Sequence, residues 1–437
     1  MLRLKRFLLT FIPLAGMLIG LPLLGVWLAG LPLEPYFEFP TQTRFVQHAP
    51  FSWTAFCLYS AMIAAAIFTV ALRTRRSYRR SPPVAASGAH PFPGWGWAAV
   101  AAGAAVWVLA WTRFPWMAAF QPHTFTPLWL AYIVGVNALC RRRTGRSLLA
   151  HRPLFFLSLF PTSALFWWFF EYLNRFVQNW YYLGVEGFTA GQYILLASLS
   201  FSTVLPAVLS TRDLLVTWPA IGQGLRGGRQ IGTSAARPAA IAALVLAGVG
   251  LTLIGVLPHL LFPLLWVSPL LIALALQVLL RRPSLLVALA AGDWRDVVAG
   301  PLAGLICGGF WETWNFCSLA KWEYAVPFVD RFHLFGMPVL GFAGYLPFGL
   351  ECLVLGDLVL YPLHVNGGGA VLRNRAAGCG DPALQRTADA PRRTQDWYQT
   401  APTVDRGGNE VLDQQSRVCQ LKLESLTATG RRLRCTV

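Results

Sequence analysis

Runs of about twenty apolar residues recur along this chain, and short clusters of arginine stand between them. That length, coiled as a helix, crosses the roughly 30 Å hydrocarbon core of a bilayer. The runs lie near 7–31, 51–72, 94–111, 122–140, 153–176, 191–210, 238–258, 262–280, 297–318 and 341–362. They predict an all-α, polytopic membrane protein of about ten transmembrane helices. Composition agrees: 55% of the 437 residues are hydrophobic, only 13% are charged, and the mean hydropathy is +0.50. A soluble domain carries roughly 25% charged residues. A soluble enzyme of ordinary type is excluded.

The net charge of +17 invites a nucleic-acid reading, but its placement argues against one. The arginines cluster at Arg73, Arg75, Arg76, Arg79 and Arg80, at Arg141, Arg142, Arg143 and Arg146, and at Arg281 and Arg282. Clusters that flank spans mark the cytoplasmic side. With the N-terminus inside, every cluster falls on that side. The loops at 32–50, 112–121, 177–190 and 319–340, poor in Lys and Arg, then fall outside. Both termini are expected to be cytoplasmic, in a bacterial inner membrane, with anionic lipids rather than nucleic acid as the partner of the basic face. The start resembles a signal peptide, but its apolar stretch is too long for a cleaved one. Residues 364–437 lack periodicity and apolar content, which predicts a disordered cytoplasmic tail.

Two stretches of the chain match one another. Trp129 corresponds to Trp266, Ser147 to Ser284, Glu171 and Asn174 to Glu312 and Asn315, Trp180 and Tyr182 to Trp322 and Tyr324, and Pro206 to Pro347. The offset drifts only from 137 to 142 residues, read directly from these numbers. The organisation expected is two N-terminal helices with a basic loop (1–92), one four-helix repeat (93–237), a second (238–363) and the tail. An even number of helices makes the repeats parallel, related by an axis along the membrane normal and facing each other across a cleft.

Spacing i, i+3 puts Glu171 with Asn174, and Glu312 with Asn315, on single helix faces near the outer ends of their spans. Ionisable residues within spans face protein or a wet cavity. Lowered dielectric there favours the protonated carboxyl, the condition for general-acid work. Glu312 and Glu171 are therefore candidate catalytic groups, with Asn315 and Asn174 orienting them. Hydrogen-bonded glue between helices is the other reading of the same pairs. Glu351, deeper in the last span and matched by Ser210 in the first repeat, is a further candidate acid. Asp213 and Asp357 lie nearer the cytoplasmic ends, where they would reach water. Asn315 and Asn174, with Trp314, Trp322, Tyr324, Trp180 and Tyr182, are candidate substrate contacts in an aromatic-walled pocket; an interfacial aromatic belt explains the aromatic ones equally. His48, His123, His259 and His333 lack metal-ligand spacing, and the eight cysteines form no CxxC. Walker, GxSxG, HExxH and dinucleotide motifs are missing too. No metal and no cofactor is expected.

The motifs Trp180-Tyr181-Tyr182, Trp322-Glu323-Tyr324 and Pro347-Phe348-Gly349-Leu350-Glu351 resemble those of the small membrane lycopene cyclases. In that family an aromatic-x-aromatic motif follows one helix and a Pro-x-Glu-Glu motif begins the next. Here the acid is single and four residues after the proline. The resemblance implies cofactor-free acid chemistry on a polyene or isoprenoid, with Glu351 the nearest match to the family's acid. The function expected is an integral membrane enzyme acting on an apolar lipid or isoprenoid between the repeats. The alternative is a proton-coupled transporter with its site at the same interface.

Overall fold

The computed structural model describes residues 2–78, 90–282 and 284–363. The chain divides into two units, 1–381 and 382–437, and every described residue belongs to the first. The tail expected at 364–437, with Arg79 and Arg80, lies outside the described residues.

Every apolar run carries helix. The long elements are α1 (Leu2–Leu28), α2 (Trp53–Tyr78), α3 (Gly94–Trp111), α4 (Phe125–Thr144), α5 (Pro153–Val177), α6 (Ala190–Phe201), α7 (Val204–Leu215), α8 (Ala236–Leu253), α9 (Leu264–Leu279), α10 (Arg295–Phe316) and α11 (Tyr345–Leu363). Among the described residues, 7 helical stretches are long and apolar enough to cross a membrane. The runs behind α4, α9 and α10 fall short of that measure. α9 has only 16 residues. Arg141–Arg143 end α4, and α10 is diluted by glycines, Asn315 and Glu312. A helix wrapped by protein needs no apolar coat, and α10 buries residues on most of its circumference.

The run 191–210 is broken between α6 and α7. Pro206, third residue of α7, has no N–H to offer and crowds the carbonyl of Ser202, four residues back. Ser163 Oγ covers the gap by donating to the Phe201 carbonyl (2.5 Å) and accepting the Leu205 N–H (3.0 Å). Pro347 is likewise third in α11, and a 3₁₀ segment, Val339–Gly344, replaces the helix before it.

Helices α10 and α11 meet backbone to backbone. Gly300, Gly304 and Gly308 stand four apart on one stripe of α10. A Cβ on Gly349 would fall 2.1 Å from the Gly300 carbonyl oxygen, and one on Gly304 would fall 2.3 Å from that of Tyr345. Small residues permit this approach in membrane helices. The next position on the stripe is Glu312, which is thereby turned toward α11.

Short strands follow α5 and α10: β1 (Trp180–Leu183) pairs antiparallel with β2 (Lys321–Tyr324). The carboxyl ends of α5 and α10 therefore lie at one end of the bundle. The segment 43–52 joins them there. Gln178 Oε1 accepts the Phe45 and Val46 N–H groups, both at 2.9 Å, and Ser52 N–H donates to the Phe328 carbonyl. Helices α2, α4 and α9 begin at this end too, Trp53 lying against Phe332, Phe125 against Trp322 and Trp266 against Trp180. Their arginine-bearing ends accordingly lie opposite. At that opposite end Arg73 reaches the Trp294 ring (5.6 Å), and His90 N–H donates to the Arg142 carbonyl.

Candidate functional site

The ribbon of β1 and β2 is built by the two asparagines. Asn174, in the last turn of α5, donates from Nδ2 to the Trp180 carbonyl (2.8 Å) and accepts the Asn179 N–H (2.8 Å). Asn315 does the same for Trp322, donating to its carbonyl (2.7 Å) and accepting its N–H (2.8 Å). The expectation that these amides orient the carboxylates is thus corrected: they hold the ribbon, and the ribbon reaches the carboxylates. An amide can satisfy a donor and an acceptor of one backbone residue together, which a carboxylate cannot.

Trp180 pairs with Tyr324 and Tyr182 with Trp322, while Tyr181 pairs with Glu323. Side chains alternate along a strand, so the four rings share one face and Tyr181 with Glu323 the other. On the outer face Tyr181 donates to Glu323 (2.8 Å), and Arg44 stacks over the Tyr181 ring at 3.2 Å. The bonds from Tyr181 and then Lys321 hold the Glu323 carboxyl below its usual range.

On the inner face each tyrosine reaches one carboxylate. Tyr182 donates to Glu171 Oε1 at 2.6 Å, joined by the indole N–H groups of Trp167 (2.9 Å) and Trp180 (3.1 Å). Tyr324 donates to Glu312 Oε1 at 2.6 Å, and Tyr345 donates to the same oxygen at 2.7 Å. Trp322 Nε1 donates in turn to the Tyr324 oxygen (2.7 Å). Glu312 is fully buried, and among the described residues its Oε2 has no hydrogen-bond partner. Burial, then the neighbouring carboxyl, holds the Tyr182 and Tyr324 phenols well above their usual value. They serve as donors, not as phenolates.

All four inner rings line a cavity of about 140 Å³. The ribbon closes one side, Trp167, Trp266, Trp311 and Tyr345 form the back, and Leu196, Ala197 and Ser200 of α6 form a side wall. The opposite face of α6 is exposed, with Leu195 at 61%. One helix thus separates the cavity from the outside of the bundle. A second, polar chamber of about 270 Å³ shares Trp180, Tyr182 and Tyr193 with the first; Glu171, Arg175, Arg44 and His48 border it. Burial holds the His48 imidazole below its ordinary value.

The other sequence candidates lie elsewhere. Trp314 is buried among Trp129, Phe310 and Trp107 and does not line the cavity. Glu351 borders a different cavity, between α1, α5 and α11. Asp213 does not simply reach water: it pairs with buried Arg212 (2.9 Å), which also donates to Asp296 (2.7 Å). Among the described residues no three His, Cys, Asp or Glu side chains gather where a metal could sit. Sequence reading missed Tyr345 and the Arg212–Asp296 pair. The glycine stripe of α10 marks the face that a neighbour approaches closely, next to Glu312, but it does not name Tyr345 as that neighbour.

Replacing Asn315 by Ala leaves the half-buried N–H and carbonyl of Trp322 without the partner that bonds both. The expected loss of stability is about 1–3 kcal/mol, read from thermal unfolding in nanodiscs together with a change in tryptophan emission. Unchanged unfolding would show that the ribbon holds without this amide.

No known protein family, no curated protein and no solved structure matches this chain.

Proposed function

We propose that this chain is an integral membrane enzyme that acts on an apolar lipid or isoprenoid in the aromatic cavity by carboxylate acid/base chemistry. The observation that carries this reading is Glu312: a carboxyl buried without a contacting cation, bonded by two tyrosine hydroxyls that belong to the cavity side. An isolated buried charge is costly, and the neutral acid needs no counter-ion. Glu312 delivers its proton to a bound double bond by a concerted relay through the Tyr324 or Tyr345 hydroxyl, so that no phenolate forms. The positive charge that develops lies among the faces of Trp180, Trp311 and Trp322, which stabilise cations. Glu171, beside the polar chamber and Arg175, is the carboxylate that takes a proton back through Tyr182. The substrate's loss of one proton balances its gain of the other, so its net change is an isomerisation or ring closure, and return of the proton from Glu171 to Glu312 resets the enzyme. This agrees with what the resemblance to membrane lycopene cyclases implies, although it rests on Glu312 and not on Glu351.

The same reading takes the chain as ten membrane helices containing a parallel four-helix duplication. Matched bonds support it: Asn to Trp backbone and Tyr to Glu recur in both halves, and both prolines stand third in their helices. The ribbon register is what a two-fold axis through Tyr181 and Glu323 produces, each Trp facing the other half's Tyr. The arginine-bearing end is assigned to the cytoplasm of a bacterial inner membrane by the positive-inside rule.

A second reading, a proton-coupled transporter, is favoured by one feature: the polar chamber adjoins the aromatic cavity across the shared wall of Trp180, Tyr182 and Tyr193. Lipid and pigment profiles of cells with and without the protein separate the two. The enzyme reading expects a new or depleted apolar species, with the change cut by about 10²-fold in Glu312→Gln. An unaltered profile with proton-dependent uptake of a solute would establish the transporter instead.

A further inference from the structure

Glu351 is the acid the chemistry above leaves unused. It lies on α11, is 1% exposed, and among the described residues neither carboxyl oxygen has a hydrogen-bond partner. A buried polar group left unsatisfied is destabilising. The corresponding Ser210 shows the satisfied alternative, its hydroxyl accepting from Asn137 Nδ2 at 2.9 Å.

The carboxyl borders a cavity of about 370 Å³, within the size range of small-molecule sites. Its walls are mostly phenylalanine and leucine, among them Leu14, Leu18, Phe166, Phe169 and Leu355, and it shares no lining residue with the aromatic cavity. Leu165 lines it and is also 62% exposed on the bundle's outer surface. The cavity is therefore reached from the side, where membrane lipid lies in the reading above. Besides Glu351 the polar lining residues are Thr10, Thr162 and Arg282, and the Thr162 hydroxyl already donates to the Ser158 carbonyl (2.8 Å). Arg282 lines the same cavity but makes no hydrogen bond to Glu351.

We infer that this cavity binds a neutral, membrane-dissolved lipid with a hydroxyl or carbonyl oxygen on an apolar body, and that the Glu351 carboxyl is its polar partner. The chain of the ligand fills the Phe and Leu walls. Its one oxygen meets the carboxyl, which as the neutral acid both donates and accepts. The inference needs the chain to be a membrane protein but not the proposed chemistry, since no residue is common to the two sites.

The test compares dodecan-1-ol with dodecane, two probes alike except for the hydroxyl, on the full chain in phosphatidylcholine nanodiscs. Dodecanol is expected to raise the unfolding temperature by about 3 °C more than dodecane. Glu351→Leu should erase that difference, Glu351→Gln should keep at least half of it, and Leu165→Trp, which blocks the side opening with the carboxyl intact, should erase it again. Equal shifts for the two probes on the unmodified protein, or an undiminished difference in Glu351→Leu, would overturn the assignment. Should Glu351→Leu fail to fold, the probe comparison on the unmodified chain and on Leu165→Trp still decides.

Discussion

Gly349→Leu is expected to destroy both the fold around α11 and the Glu312 site, while Gly309→Ala in the same bundle leaves both unchanged. A Cβ at Gly349 would sit 2.1 Å from the Gly300 carbonyl oxygen, with backbone of Gly304 at 3.2 Å beside it. Backbone cannot yield as the far end of a side chain can. Overpacking in ordinary cores costs about 1–3 kcal/mol, and a clash that must separate two helices belongs at or above the top of that range. Once α10 and α11 part, the Tyr345 hydroxyl leaves Glu312, because the ring is seated against Gly308, where an added Cβ would come within 2.3 Å of it. Gly309 has nothing within 4 Å of its added Cβ. Unfolding temperature in nanodiscs and the apolar-lipid profile check both outcomes. Gly349→Leu with normal unfolding would mean that the close crossing is not needed.

Arg212→Leu carries an equally large expected penalty. The guanidinium is 2% exposed and bonds Asp296 through Nε at 2.7 Å and Asp213 through Nη1 at 2.9 Å, with a further Nη2 contact to Asp296. Removing one partner of a buried ion pair costs about 3–5 kcal/mol, since the other charge is left uncompensated. The double replacement Arg212→Leu with Asp296→Leu is expected to recover most of the loss, because no buried charge then lacks a partner. A double-mutant cycle on unfolding free energy reads the coupling. Additive losses would show that the pair does not tie α7 to α10.

The Arg212 pair also shows how sequence reading fails here. Asp296 lies 84 positions from Arg212, and nothing local marks the two as partners. Trp314 failed for another reason. It shares a helix with Glu312 and Asn315, but a step of two residues turns it to the far side of α10, into the ring cluster of Trp129 and Phe310. Glu351 was read with Glu171 and Glu312 because all are acids in spans; the packing of α1 against α5 and α11 set it in a cavity of its own. The asparagines were read with their own glutamates by spacing alone. Their amides turned instead to backbone beyond the end of the helix, where orphan carbonyls and N–H groups need partners.

By itself the sequence determined where the helices lie, which of their ends carry arginine, and that a Glu-x-x-Asn unit followed by aromatics occurs twice. Those properties are set by short stretches of chain, through helical rise, apolar length and local charge. Tertiary structure alone decided that the two aromatic segments pair with each other, that Tyr182 and Tyr324 reach across to the carboxylates, and that Tyr345 joins them. The ribbon pairing and the Tyr345 contact depend on how whole helices pack, and the Tyr182 and Tyr324 contacts on how the chain folds back after its own helix. The crossing of α10 and α11 is set by backbone contact at glycines that carry no side chain to announce their partner.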